Sequence, residues 1–195
     1  MAIDPILRNV ERELHTDRLT LRVPRSGDGE RVHEAVVETL ADLRAWPASL
    51  PWAMAEPTVS ASETFCRESA AAFIKRAELV YLVFDREDDL LAAVSLHSIN
   101  WSVPKFELGF WCRTSRQRQG YMAEAAGELV RYAFEALGAQ RVYALPDDRN
   151  AGSRAVCESV GMVLEGVMRN ERVTPEGGTR DTCVYARVRA GSGVS

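Results

Sequence analysis

Hydrophobic positions change period along the chain, and the changes mark out strands and helices. Leu19, Leu21 and Val23 alternate with Arg18, Thr20 and Arg22, a period-two pattern that predicts a first strand ended by Pro24. After a turn at Ser26 to Gly29 the period lengthens, and Val32, Ala35, Val36, Leu40 and Leu43 share one face of a helix. A second helix is expected from Ser60 to Lys75, opened by a Ser-x-x-Glu capping box at Ser60 and Glu63. Leu79 to Phe84 and Leu90 to Ile99 are β-rich runs, and the charged residues from Asp85 to Asp89 between them predict a hairpin loop. Asn100 to Pro104 turns the chain into Phe106 to Arg113, which alternates again. Met122, Ala125, Ala126, Leu129, Val130, Ala133, Phe134 and Leu137 then form one helical stripe, with Gly138 as its stop. Arg141 to Leu145 reads as a short strand and Asn150 as the N-cap of a helix through Val160, closed by Gly161. Met162 to Val173 and Thr182 to Val188, joined across Thr174 to Gly178, predict two final strands.

Three stretches escape this pattern. Ile3 to Glu13 predicts a short helical or poorly ordered lead-in, and Ala190 to Ser195 a disordered tail. Trp46 to Pro57 (WPASLPWAMAEP) is too broken for a long helix and too apolar for a solvated linker, so it predicts either a wall or lid over a cavity or a long loop pinned to the core by Trp46 and Trp52. A single α/β domain over residues 1–195 is expected, with its ordered core near residues 14–189.

Composition narrows the function classes. The chain has 195 residues, 46% hydrophobic and 27% charged, enough for one sizeable core. A net charge of −4 and a pI near 5.5 argue against nucleic acid as a main partner. Cys66, Cys112, Cys157 and Cys183 are far apart with no C-x-x-C pair, so they predict reduced, mostly buried thiols rather than a metal site or a disulfide framework. The N-terminal MAIDPILRNVERELHT lacks an apolar run long enough for a signal peptide and no stretch has the length of a membrane span, which predicts a cytoplasmic address.

The candidate chemistry centres on Arg116 to Gly138. Strand, turn with glycine, helix is an order that can hold an anion, because the first amides of a helix lack internal partners and carry the positive end of its dipole. Gln117 to Met122 would supply those amides, and Gly120 would let the anion come close.

RQRQGYMAEA at Arg116 to Ala125, followed by DDRNAGSRAVCESVGM at Asp147 to Met162, resembles the GCN5-related N-acetyltransferase (GNAT) superfamily, in its RimJ/RimL-like branch. The likeness extends from RLTLR at Arg18 to Arg22, through FELGFW at Phe106 to Trp111, to the last strand. It implies a mixed, mostly antiparallel sheet of about seven strands flanked by about four helices. It also implies acetyl-CoA as co-substrate, no metal, and a primary amine as acceptor. Gln117, Gly120 and Met122 occupy the defined positions of the family's Q/R-x-x-G-x-G/A turn, with Met122 a departure. Pyrophosphate contacts would come from Gln117, Arg118, Gln119, Gly120, Tyr121 and Met122. The pantetheine arm would lie along Phe110, Trp111 and Cys112 and reach Asn150 and Ser153, between strands Phe106 to Arg113 and Arg141 to Leu145 that splay apart.

Acetyl transfer to an amine needs a neutral amine, a polarised carbonyl and a proton for the departing thiolate. Glu107, the one carboxylate in its strand, is the candidate base, directly or through water; a solvent-facing or arginine-paired carboxylate is the alternative. The family's usual tyrosine acid is replaced by Cys157, and Ser153 falls on the branch's N-x-x-S serine as the group that would approach the coenzyme sulfur. Trp46, Trp52, His97 and Tyr185 are acceptor-side candidates. The acceptor is expected to be a protein N-terminal α-amine or a small amine such as an amino sugar, an antibiotic or a polyamine. A non-catalytic acyl-CoA-binding module is the competing class. The habit of the branch and the apolar Trp46 to Pro57 stretch also lead to the expectation of a homodimer.

Overall fold

Each alternating stretch becomes a strand and each 3.6-residue stripe a helix in the computed structural model, which describes residues 4 to 190. The expected tail lies outside those residues except for Ala190. The strands are β1 (Glu13–His15), β2 (Thr20–Arg22), β3 (Leu79–Phe84), β4 (Leu90–Asn100), β5 (Lys105–Cys112), β6 (Arg141–Ala144), β7 (Val163–Val173) and β8 (Thr179–Val188). The helices are α1 (Gly29–Arg44), α2 (Val59–Lys75), α3 (Tyr121–Glu135) and α4 (Ala151–Ser159). One open sheet runs β1-β2-β3-β4-β5-β6-β8-β7.

The sheet has eight strands rather than about seven. The additional one is β1, at the end of the expected lead-in, where Leu14 is buried and pairs with Leu21 of β2. Three residues with a single inward side chain leave too little periodicity to read.

A second correction concerns α2. Its N-cap is Thr58, whose hydroxyl accepts from the Ala61 amide at 3.1 Å, not Ser60. Glu63 reaches outward instead, accepting from the amides of Gly27 and Gly29 and from Arg67. It thereby binds the start of α1 to α2. The helices touch so closely here that a Cβ on Gly29 would lie 2.6 Å from that of Glu63.

The core of α3 follows its stripe: Met122, Ala125, Ala126, Leu129, Val130 and Ala133 are all buried in the larger hydrophobic cluster, together with Phe106 and Leu108 of β5. A smaller cluster joins Val32, Ala35, Val36 and Leu43 of α1 to Leu82, Phe84 and Ala93 of the sheet. Trp111 packs against this second cluster, so β5 presents Phe106 and Leu108 to α3 and, by alternation, Glu107, Gly109 and Trp111 to the face under α1 and α2.

The connection that matters for function is β5-α3-β6, which makes β5 and β6 a parallel pair among otherwise antiparallel neighbours. They pair only over Lys105 with Arg141, Phe106 with Val142 and Glu107 with Tyr143. Beyond that point the chain after β6 turns to β8, where the Cys183 amide donates to Pro146 and Asp147 bridges Thr182. The β6-side edge of Leu108–Cys112 is thus left open. Because α3 and α4 follow the C-terminal ends of these two strands, both helix N-termini flank the fork.

Candidate active site

The turn between β5 and α3 is built from main chain. Gly120, at φ +81°, is the N-cap of α3, and Arg118 is also left-handed at φ +57°. Among the described residues, the amides from Arg118 to Ala123 donate to no backbone carbonyl; the first to do so is that of Glu124, to Gly120. Successive free amides ending at a helix N-terminus form a concave donor surface suited to phosphate oxygens. Side chains hold the turn in shape. Gln117 Nε2 donates to Asp42 at 3.0 Å, Gln119 Nε2 to the Ser115 carbonyl at 2.9 Å, and Arg18 to the Gln119 carbonyl at 3.3 Å. Arg18 also pairs with Glu124 at 2.6 Å and lies over the Tyr121 ring. Met122 points into the core, so its side chain takes no part in the donor surface.

On the other face of β5, Glu107 sits opposite His97 of β4. His97 Nε2 stands 3.4 Å from Glu107 Oε1, and Ser98 Oγ donates to Glu107 Oε2 at 2.9 Å. Ser98 reaches it because β4 bulges there, with Ser98 at φ +48°. Burial pushes the Glu107 carboxyl up, but hydrogen bonds from His97 and Ser98 outweigh that and hold it below the usual carboxylate range. Glu107 is therefore ionised near neutral pH. Tyr143, its register partner across β6, has its hydroxyl pushed upward by burial and by the charge of Glu107. It remains protonated.

Gly109 makes this arrangement possible. A Cβ there would lie 2.7 Å from His97 Cε1 and 3.0 Å from Ser95 Oγ, so a side chain would displace the imidazole from its place over the strand. Ser95 Oγ in turn stands 3.4 Å from His97 Nδ1.

His97 and Gly109 line a cavity of about 580 Å³ bounded by α1, the stretch after it, α2 and the centre of the sheet. Trp52 is part of its wall and Trp46 is not; Trp46 lies under Arg180, 5.6 Å away, which pairs with Asp147 at 2.5 Å. Leu50, Ala53 and Pro57 also face the cavity. Phe110 and Trp111 line it as well.

At the fork, Asn150 Oδ1 accepts from the Ser153 amide at 2.9 Å, so the cap places half-buried Ser153 in the first turn of α4. Cys157 is fully buried, and that burial pushes its thiol up to about 12. Cys112, beside the turn, is likewise pushed up to about 11. Tyr185 does not reach the cavity: it is buried in the core on the α3 and α4 side, its hydroxyl donating to Glu158 at 2.7 Å and accepting from Arg154 at 3.2 Å. Its place in the last strand could not show which partner would claim the hydroxyl.

Ser95, Ser98 and Tyr143 were not singled out from sequence. Only the antiparallel register of β4 with β5, the bulge at Ser98, and the parallel register with β6 bring them to Glu107.

A forked mixed sheet whose fork is flanked by a glycine turn and two helix N-termini is the architecture of an acyl-CoA-dependent transferase. Residues 18–163 match the acetyltransferase (GNAT) domain, and the chain belongs to that family. It is 28% identical over 156 residues to "Putative ribosomal N-acetyltransferase YdaF" of Bacillus subtilis (strain 168), covering 79% of this chain and 82% of that protein. Among solved structures it superposes on the microcin C7 self-immunity acetyltransferase MccE, in complex with acetyl-CoA and AMP, with a TM-score of 0.79 and 20% identity over 89% of this chain and 94% of that one. RimL, a ribosomal alpha-N-protein acetyltransferase in complex with coenzyme A, gives 0.78 and 20% over 89% and 95%.

Proposed function

We propose that the protein transfers the acetyl group of acetyl-CoA to a primary amine by direct attack on the thioester. The observation that carries this reading is the fork itself, where an open strand edge, a run of free amides and an ionised carboxylate lie on one strand and the turn that follows it. The pyrophosphate would rest on the amides of Arg118 to Ala123, and the pantetheine arm would run as an added strand along Leu108–Cys112, as extended ligands do at open sheet edges. Amides of that edge would polarise the thioester carbonyl.

The amine nitrogen then bonds to the carbonyl carbon as the carbon–sulfur bond breaks. Its proton passes to Glu107 by way of His97, the member of the pair that lines the cavity. Ser153, at the first turn of α4, serves the departing thiolate. A protein N-terminal α-amine fits the names of the relatives and needs only a modest base, since it titrates at about 7.7 to 8.0. Assignment to the cytoplasm, where acetyl-CoA is available, belongs to the same reading.

The test is an acceptor screen with purified protein and acetyl-CoA, read as free thiol released and acetylated product by mass. Amine-dependent release is expected. Tight coenzyme binding with no release from any amine would leave an acyl-CoA-binding module instead.

A further inference from the structure

We infer that the amine is carried on an uncharged apolar body, aromatic or branched aliphatic, and that the cavity beside His97 receives that body. The inference rests on the transferase reading above and adds the chemistry of the acceptor to it. At about 580 Å³ the cavity falls within the ~300–1,000 Å³ of small-molecule sites. Its walls are Val32 and Val36 of α1, Leu50 and Trp52 of the following stretch, and Ala93 and Trp111 of the sheet. The only charged side chains among the described residues lining it are the carboxylates of Glu56 and Glu78, with His97 the one other titratable group; no lysine or arginine contributes.

One of the two carboxylates stands at the His97 end, while Glu56 is held by Arg44 of α1. Leu79 pairs with Leu96, so Glu78, just before β3, stands level with His97 just after Leu96. An ammonium entering the cavity would be drawn toward the end where its proton is removed, with the apolar body left against α1 and Trp52. An amino sugar would instead press several hydroxyls against walls whose hydroxyl partners are limited to Ser49, Thr58, Ser62 and Ser95, and a polyamine's further ammonium groups would find only Glu56, already paired with Arg44. A free carboxylate on the acceptor would meet Glu78 and a Glu56 already paired with Arg44 at 3.3 Å, and no cation lines the cavity to receive it.

The amine could belong to a free arylalkylamine or to a peptide whose first residue is aromatic, and the experiment separates the two. Thiol release would be followed with the full chain and acetyl-CoA for phenethylamine, a tripeptide amide beginning with phenylalanine, the same tripeptide beginning with serine, spermidine and glucosamine. At least one aromatic acceptor is expected to have a kcat/KM at least about tenfold above the three hydrophilic ones; whether it is the free amine or the peptide assigns the source. Ala61→Trp, at an exposed position of α2 that lines the cavity, is expected to raise KM for the preferred acceptor by about tenfold without changing coenzyme affinity or melting temperature. Equal or better kcat/KM for spermidine, glucosamine or the serine peptide would overturn the apolar assignment and leave the transferase intact. An unchanged KM in a folded Ala61→Trp would remove the acceptor from this cavity. Coenzyme binding without release from any amine overturns both readings.

Discussion

The turn after β5 and the cavity beside β5, the two halves of the proposed site, are built from opposite materials. The turn is main chain, contiguous from Arg118 to Ala123 and exposed from Arg118 to Gly120, with side chains such as Gln117 and Arg18 bracing it from outside. The cavity is side chain, gathered from α1, the stretch after it, α2, β3, β4 and β5. A main-chain site depends on φ, ψ and one glycine, which is why Met122 fits where the family has a small residue: it contributes an amide and sends its side chain into the core. A side-chain site depends on every element that supplies it, so its specificity can change while the turn stays constant. Substitutions should accordingly separate into those that alter turnover or acceptor use and those that alter coenzyme affinity.

The largest expected effect is on the cavity side. Glu107→Gln should lower kcat by about a hundredfold or more with coenzyme affinity nearly unchanged, measured by steady-state kinetics beside a binding titration. Raising pH should partly restore it, because a neutral amine no longer needs the carboxylate. The sign for the native protein follows from the depressed Glu107 carboxyl. It is already ionised above the usual carboxylate range, so the rise of rate above neutral pH should track the acceptor's own amine, and any loss due to Glu107 should come only at acidic pH. If replacing Glu107 weakened coenzyme binding instead, the two regions would not be separable.

Gly109→Ala should cost less, about tenfold in turnover, by moving His97 off the strand while leaving the turn intact. Kinetics at saturating coenzyme, with melting temperature as a control for folding, would check it. The smallest expected effect is that of Ser153→Ala, a few-fold loss in kcat that is eased at lower pH or by a thioester with a better leaving group. A change confined to the acceptor's KM would make Ser153 a positioning residue rather than one serving the thiolate.

The same contrast explains what could be read from the chain. α3 and its glycine turn were legible because a local sequence builds both: the stripe from Met122 to Leu137 sets the buried face, and Gly120 directly precedes the helix. Asn150 was legible as a cap for the same reason. Glu63 was misplaced because Thr58 competed for the cap and the amides of the Gly27–Gly29 turn competed for the carboxylate. The setting of Tyr185 was not legible because its hydroxyl partners, Glu158 and Arg154, come from α4. The surroundings of Glu107 were the least legible part. Ser98 reaches it through a bulge, Tyr143 through a parallel register set by the crossover, and His97 through the space left by Gly109, none of which leaves a short-range pattern.

The most direct test of this division is a calorimetric titration of Gly120→Asp with acetyl-CoA, beside wild type and Glu107→Gln. A carboxylate and a Cβ at φ +81° would meet the pyrophosphate on the donor surface, so affinity should fall by tenfold or more, about 1.4 kcal/mol, while turnover at saturating coenzyme is retained. Gly120→Asp binding acetyl-CoA as tightly as wild type would show that the coenzyme is held elsewhere.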